Sequence, residues 1–88
     1  LKIDFTNAYK RDIRIIEKRN YNLSILKDVI TRIANKEVLE PKYHVHSLKG
    51  EYANMYECHI KPNWLLIWQI YDDLMILHRT GTHSDLFD

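Results

Sequence analysis

The run WLLIWQI, Trp64 to Ile70, is apolar at every position but Gln69. Turn signals bound it on both sides, Lys61-Pro62-Asn63 before and Asp72-Asp73 after, so it reads as the central strand of a sheet. Its partners lie beside it in sequence. LMILHRTG, from Leu74, returns as a further strand, and in MYECHI the residues Tyr56, Cys58 and Ile60 point one way while Met55, Glu57 and His59 point the other. LKIDF alternates Leu1, Ile3 and Phe5 against Lys2 and Asp4, the period of a half-buried strand.

Between that first strand and the loop around Pro41 the period is helical. Thr6 stands as a cap ahead of Tyr9, Ile13 and Ile16, with Lys10, Arg11, Arg14 and Lys18 on other faces. Asn22 caps a second stripe of Leu23, Leu26, Val29, Ile30 and Ile33. Two helices joined by so short a turn form an antiparallel hairpin. The order β-α-α-β-β-β predicts an α+β fold: a twisted antiparallel sheet with an N-terminal helical hairpin packed on one face, as one domain over residues 1–88.

The net charge of +1 is too small to mark a nucleic-acid binder, yet it is unevenly distributed. Residues 1–50 carry 11 Lys/Arg against 6 Asp/Glu, a net of +5, and residues 51–88 carry 2 against 6, a net of −4. No run of about twenty apolar residues and no secretory leader is present, so the expectation is a cytoplasmic protein without a membrane span. The single cysteine, Cys58, has no internal disulfide partner, and the strand parity points it into the core, which argues against a thiol nucleophile.

All five histidines, 44, 46, 59, 78 and 83, fall in the second half. Imidazole both takes and gives a proton near neutral pH, so the cluster suggests acid-base chemistry. His44 and His46 at i, i+2, with His59 or His83, could also be arranged around a metal. No H-E-x-x-H motif, cysteine pair or carboxylate-rich loop accompanies them, and no metal or cofactor is expected. His78 reads as a half-exposed strand residue and His44 as a loop residue. Glu57 shares a face with His59, where a carboxylate would orient the ring. Gly-rich phosphate loops and the G-x-S-x-G elbow are absent, which leaves proton transfer and positioning as the available chemistry.

Three segments carry a resemblance: HSLKG (His46 to Gly50), YECHIKPNWLLIW (Tyr56 to Trp68) and RTGTHSDLF (Arg79 to Phe87), preceded by YKRDI after the first strand. In order and spacing they resemble the YafQ branch of the RelE/ParE superfamily of toxins from bacterial toxin-antitoxin pairs. The resemblance implies a RelE-like, microbial RNase-like fold. It also implies a ribosome-dependent endoribonuclease that cleaves mRNA without a metal and is silenced by a cognate antitoxin, in a complex that could be a heterotetramer.

Carried over by position, His46, His59 and His83 match catalytic histidines and Glu57 an acidic position. Arg79 matches a phosphate-binding arginine and Phe87 an aromatic that stacks on a base. Asn63 falls where the family commonly has aspartate, and asparagine hydrogen-bonds without taking a proton. The expected division of labour has His59, oriented by Glu57, as base, His83 as acid to the leaving oxygen, and His46 with Arg79 on the phosphate. The segment THSDLF would form one wall of the site. Two alternatives are an antitoxin-binding module with weakened catalysis, which Asn63 suggests, and a ParE-like topoisomerase poison, for which three proton-carrying histidines would be superfluous.

Overall fold

The computed structural model describes residues 1–88. Its elements are β1 (Lys2–Phe5), α1 (Asn7–Lys18), α2 (Leu23–Ala34), β2 (His46–Ser47), β3 (Tyr56–Lys61), β4 (Trp64–Tyr71), β5 (Leu74–Gly81) and α3 (His83–Phe87), with 3-10 turns at Pro41–Tyr43 and Gly50–Tyr52. The strands form one sheet in the order β1-β5-β4-β3-β2, with β4 at its centre. The α+β class and the helical hairpin are as expected from sequence. The two-residue β2 and the five-residue α3 are additional.

One expectation needs correction: the sheet is mixed, because β1 runs parallel to β5 while all other pairs are antiparallel. The direction follows from what α1 must reach. The chain leaves β1 at Phe5, Thr6 donates its backbone N–H to the Leu77 carbonyl and its hydroxyl to that of His78, and α1 continues past the second half of β5. Thr6 also caps α1 by accepting from the Tyr9 N–H at 3.0 Å. As an edge strand β1 buries little, and Ile3 and Phe5 stay about half exposed at 47% and 49%.

The apolar continuity of β4 has a direct cause, since both of its faces are covered. Toward the helices, Trp64, Leu66 and Trp68 join Cys58, Ile60, Met75 and Leu77 beneath Ile16, Leu26, Val29, Ile30 and Ile33. On the second face Leu65 and Ile67 are fully buried under Leu86 of α3, with Leu48, Tyr52 and Met55 around them. Leu86 alone contributes about 2 kcal/mol by this burial.

A helix of five residues is too short to hold itself together, and its anchors are polar as well as apolar. Thr82 accepts from the Asp85 N–H at 3.1 Å while Asp85 Oδ2 accepts from the Thr82 N–H at 2.8 Å, a closed capping box. The same carboxylate takes both arms of the Arg19 guanidinium, at 2.7 and 2.9 Å, tying α3 to the end of α1. Gly81, at φ +154°, lies so close that a β-carbon there would stand 2.9 Å from Asp85 Oδ2, so any larger residue would displace the carboxylate. Asp85, for which the sequence alone suggests no role, is the joint of this segment.

A second ion pair crosses the same layer. Asp12, buried on α1, accepts from Arg79 Nε at 2.7 Å, from Arg79 Nη2 at 3.1 Å and from the Thr80 N–H at 3.1 Å. Removing it leaves a backbone donor and a largely buried cation without their acceptor. Asp12→Ala should cost about 3 kcal/mol in urea unfolding, a large share of the roughly 5–15 kcal/mol available to a small domain. A loss within about 0.5 kcal/mol, the range of an ordinary surface change, would contradict this reading.

Acid should loosen α3 in a particular way. The Arg19 guanidinium, helped by the Thr82 N–H, holds the Asp85 carboxyl well below the usual carboxylate range. Because the folded-state value is depressed, the stabilisation is complete above the unfolded value of about 3.9. It fades as pH falls toward the lower folded value. In acid titrations followed by urea unfolding, Asp85→Asn should be less stable at neutral pH and lose less on acidification below about pH 4. Parallel curves for the two proteins would refute the assignment.

Candidate active site

Three elements bring their side chains together on the second face of the sheet. On β3, Glu57 and His59 point to the face that carries Leu65 and Ile67, since Glu57 pairs with Ile67 and His59 with Leu65 in register. β2 adds His46 opposite Glu57. The start of α3 adds His83, and its last turn Phe87.

The rings form an unbroken row. Tyr52 meets Phe87 edge-on with centroids 5.7 Å apart, Phe87 lies 6.0 Å from His83, His83 lies 6.1 Å from His59, and His59 lies 5.3 Å from His44. His59 and His83, 24 positions apart in the chain, therefore face one another across a gap of one ring's width. Neither imidazole has a hydrogen-bonded side-chain partner. The backbone N–H of His83 donates to Asn63 Oδ1 over a long 3.4 Å, so Asn63 steadies the entry of α3.

His46 is held differently. Its Nδ1 lies 2.6 Å from the His44 carbonyl oxygen and its Nε2 lies 3.2 Å from Glu57 Oε1. The ring is thus held between a carbonyl oxygen and a carboxylate oxygen, one at each nitrogen. This corrects the sequence-based expectation in one respect: Glu57 pairs with His46, not with His59. Register is the cause, because β2 sets His46 directly across from Glu57, whereas His59 lies two residues further along the same strand. Glu57 is 4% exposed and its other oxygen, Oε2, is buried without a hydrogen-bond partner. His46 is thus the carboxylate's one polar side-chain contact.

The loop before β2 makes this possible. The 3-10 turn Pro41–Tyr43 ends on His44 in the left-handed conformation, φ 49° and ψ 48°. For a residue with a β-carbon that geometry costs about 1 kcal/mol, and it turns the His44 carbonyl to His46 while laying the His44 ring on His59. Sequence pattern assigns His44 to a loop and gives it no part in the site. Tyr52, which extends the ring row, is equally silent in sequence. The i, i+2 spacing of His44 and His46 is the one available signal for the former; nothing local points to Tyr52.

Arg79 stands at the border of the cluster. Two of its N–H groups are committed to Asp12, and that fork, with Tyr52 beside it, raises its pKa further above the ordinary guanidinium value, so the side chain is a fixed positive charge. His78 lies outside the group, where its Nε2 meets Gln69 Oε1 at 3.2 Å and burial lowers its pKa. Cys58 is fully buried on the helix side, its thiol pushed up to about 12 by burial and then by Glu57, so it is inert as a nucleophile. No three His, Cys, Asp or Glu side chains stand in the geometry of a metal site.

Comparison with known proteins gives one consistent result. The sequence pattern of the family described as "Bacterial toxin of type II toxin-antitoxin system, YafQ" matches residues 1–88. The mRNA interferase toxin YafQ of Escherichia coli strain K12 is 33% identical over 86 residues, covering 97% of this chain and 94% of the relative. A copper-bound mutant toxin from Helicobacter pylori superposes with a TM-score of 0.93 at 37% identity, with 99% of each chain covered. A toxin-antitoxin complex from Escherichia coli, DinJ-YafQ, contains a chain similar to this one with a TM-score of 0.90 and 32% identity, covering 99% of this chain and 97% of that one. The chain belongs to the YafQ family of bacterial toxins of type II toxin-antitoxin systems.

Proposed function

We propose that this toxin is an mRNA endoribonuclease that cleaves by imidazole acid-base chemistry without a metal, and that a cognate antitoxin silences it. The naming of its relative as an mRNA interferase and the antitoxin-bound relative support the class of activity and of partner. The observation that carries the mechanism is the facing pair His59 and His83, with His46, held by Glu57, at one side.

Cleavage through the 2′-hydroxyl needs a base at that oxygen, positive charge on the phosphoryl oxygens and an acid at the 5′-oxygen. His59 takes the hydroxyl proton. Its ring has no hydrogen-bond partner in the protein, so a neutral imidazole there offers a free lone pair. The 2′-oxygen attacks phosphorus, the bond to the 5′-oxygen breaks, and His83 delivers its proton to that oxygen. Arg79 neutralises the phosphoryl oxygens, and His46, held in place by Glu57, meets them beside it. Phe87 and Tyr52 offer stacking surface to a base, while Asn63 holds the start of α3. Glu57 is a positioning residue for His46.

The substrate is mRNA on the ribosome, with the exposed basic face of α1, Lys10, Arg11, Arg14 and Lys18, turned to ribosomal RNA. Docking of that kind weakens steeply as salt rises. The toxin acts as one domain in the cytoplasm, where a cognate antitoxin binds it. No helix is long and apolar enough to cross a membrane.

Induction in growing bacteria with mapping of mRNA ends tests the activity. New ends inside translated codons, absent with His83→Ala, are expected. DNA breaks without new mRNA ends would indicate a topoisomerase poison, and neither effect would indicate a binding module. In single-turnover cleavage the rate should fall by about 10²–10⁴ in His83→Ala. The intact enzyme should give a bell-shaped pH profile whose alkaline limb the variant flattens. A flat profile in the intact enzyme would rule out two imidazoles acting in opposite protonation states.

A further inference from the structure

Beyond His59 the ring row opens into a groove that the reaction itself does not use. Its volume is about 620 Å³, and Ile25, Lys42, Tyr43, His44, His59 and Lys61 form most of its wall. That is within the range of about 300–1,000 Å³ that holds a small ligand. The fold leaves this space because β2 pairs only with Glu57 and Tyr56, so the later part of β3 has no strand on its outer edge and the turn Pro41–Tyr43 stands off that edge.

The chemistry of the walls is one-sided. No carboxylate lines the groove, and neither Lys42 nor Lys61 makes a salt bridge. Lys42 Nζ instead sits 5.2 Å from the centre of the Tyr43 ring. Arg32, whose guanidinium lies 5.9 Å from the centre of the same ring, is occupied by Glu37 and Glu40. Two ammonium groups without a salt bridge, Lys42 and Lys61, line with Tyr43 a concavity that ends on the proposed general base.

We infer that this groove is a nucleotide subsite, in which the RNA strand leaving His59 lays a backbone phosphate against Lys42 and Lys61 and a base against Tyr43. The inference rests on the ribonuclease reading above. Lysines serve as point charges for phosphate without reading sequence, and an aromatic face stacks on any base. The subsite therefore adds affinity and fixes the strand's path, with little base preference. The antitoxin is the competing occupant, but a groove bare of carboxylates and continuous with His59 favours the polyanion that the site must in any case admit.

The test is the double substitution Lys42→Ala/Lys61→Ala in the full chain; both side chains are exposed, so folding should be preserved. Cleavage of mRNA on programmed ribosomes should show KM raised about tenfold with kcat within about twofold. Removing two lysine charges from a single-strand site should also make log(kcat/KM) fall with log salt by about 1.4 less steeply, near 0.7 for each charge. Lys→Arg at both positions should restore KM. Titration of a short single-stranded RNA bearing 2′-O-methyl riboses, which cannot be cleaved through the 2′-oxygen, gives a reading independent of catalysis. Its affinity should drop by the same factor. Unchanged KM and unchanged RNA affinity, in a variant that still cleaves, would overturn the subsite and leave the nuclease reading standing. So would a loss of antitoxin affinity alone.

Discussion

Leu65 and Ile67 point away from the helical hairpin, and left bare they would expose the most apolar strand of the sheet to water. Their cover is Leu86, carried on a helix too short to be stable unaided, so the burial of three side chains and the fold of the last segment depend on one another. The Arg19 fork on Asp85 and the capping box beside it fix the direction from which that helix arrives. His83 and Phe87 are on the same helix. Packing of the second face and assembly of the candidate catalytic group are thus one event.

The other half of the site comes from an equally local arrangement. β2 is two residues long, yet its register sets His46 against a buried carboxylate, and the left-handed turn at His44 supplies the second acceptor. An imidazole held at both nitrogens is preorganised, so in the proposed mechanism it need not reorient as charge builds on phosphorus. His59, by contrast, has ring neighbours and no hydrogen-bond partner in the protein, which suits the proton transfer proposed for it. The different roles proposed for the two imidazoles rest on this contrast: one has hydrogen-bond partners and the other does not.

Much of the layout was legible in the amino-acid order. Period-two segments and their turn residues predicted the strands from Tyr56 onward, and Thr6 and Asn22 marked both helix starts. The parity of MYECHI put Cys58 in the core and Glu57 with His59 on the opposite face. What escaped was set by distant pairing. Asp12 looked like one more polar helix residue until β5 brought Arg79 and Thr80 to it. The parallel placement of β1 follows from that same approach of α1 to β5. The partner of Glu57 depended on a strand too short to show any period, and Asp85 acquires meaning only when Arg19, 66 positions earlier, arrives beside it.

The central claim is that imidazoles pass protons to and from a single ribose-phosphate linkage, with the 2′-oxygen as nucleophile. The end groups of the cleaved RNA test it most directly. Mass analysis of the fragments should find a 2′,3′-cyclic phosphate, or the 3′-phosphate formed from it, upstream of the cut and a 5′-hydroxyl downstream. Fragments ending in a 3′-hydroxyl and a 5′-phosphate would mean that water attacked phosphorus, and the roles given to His59 and His83 would be wrong.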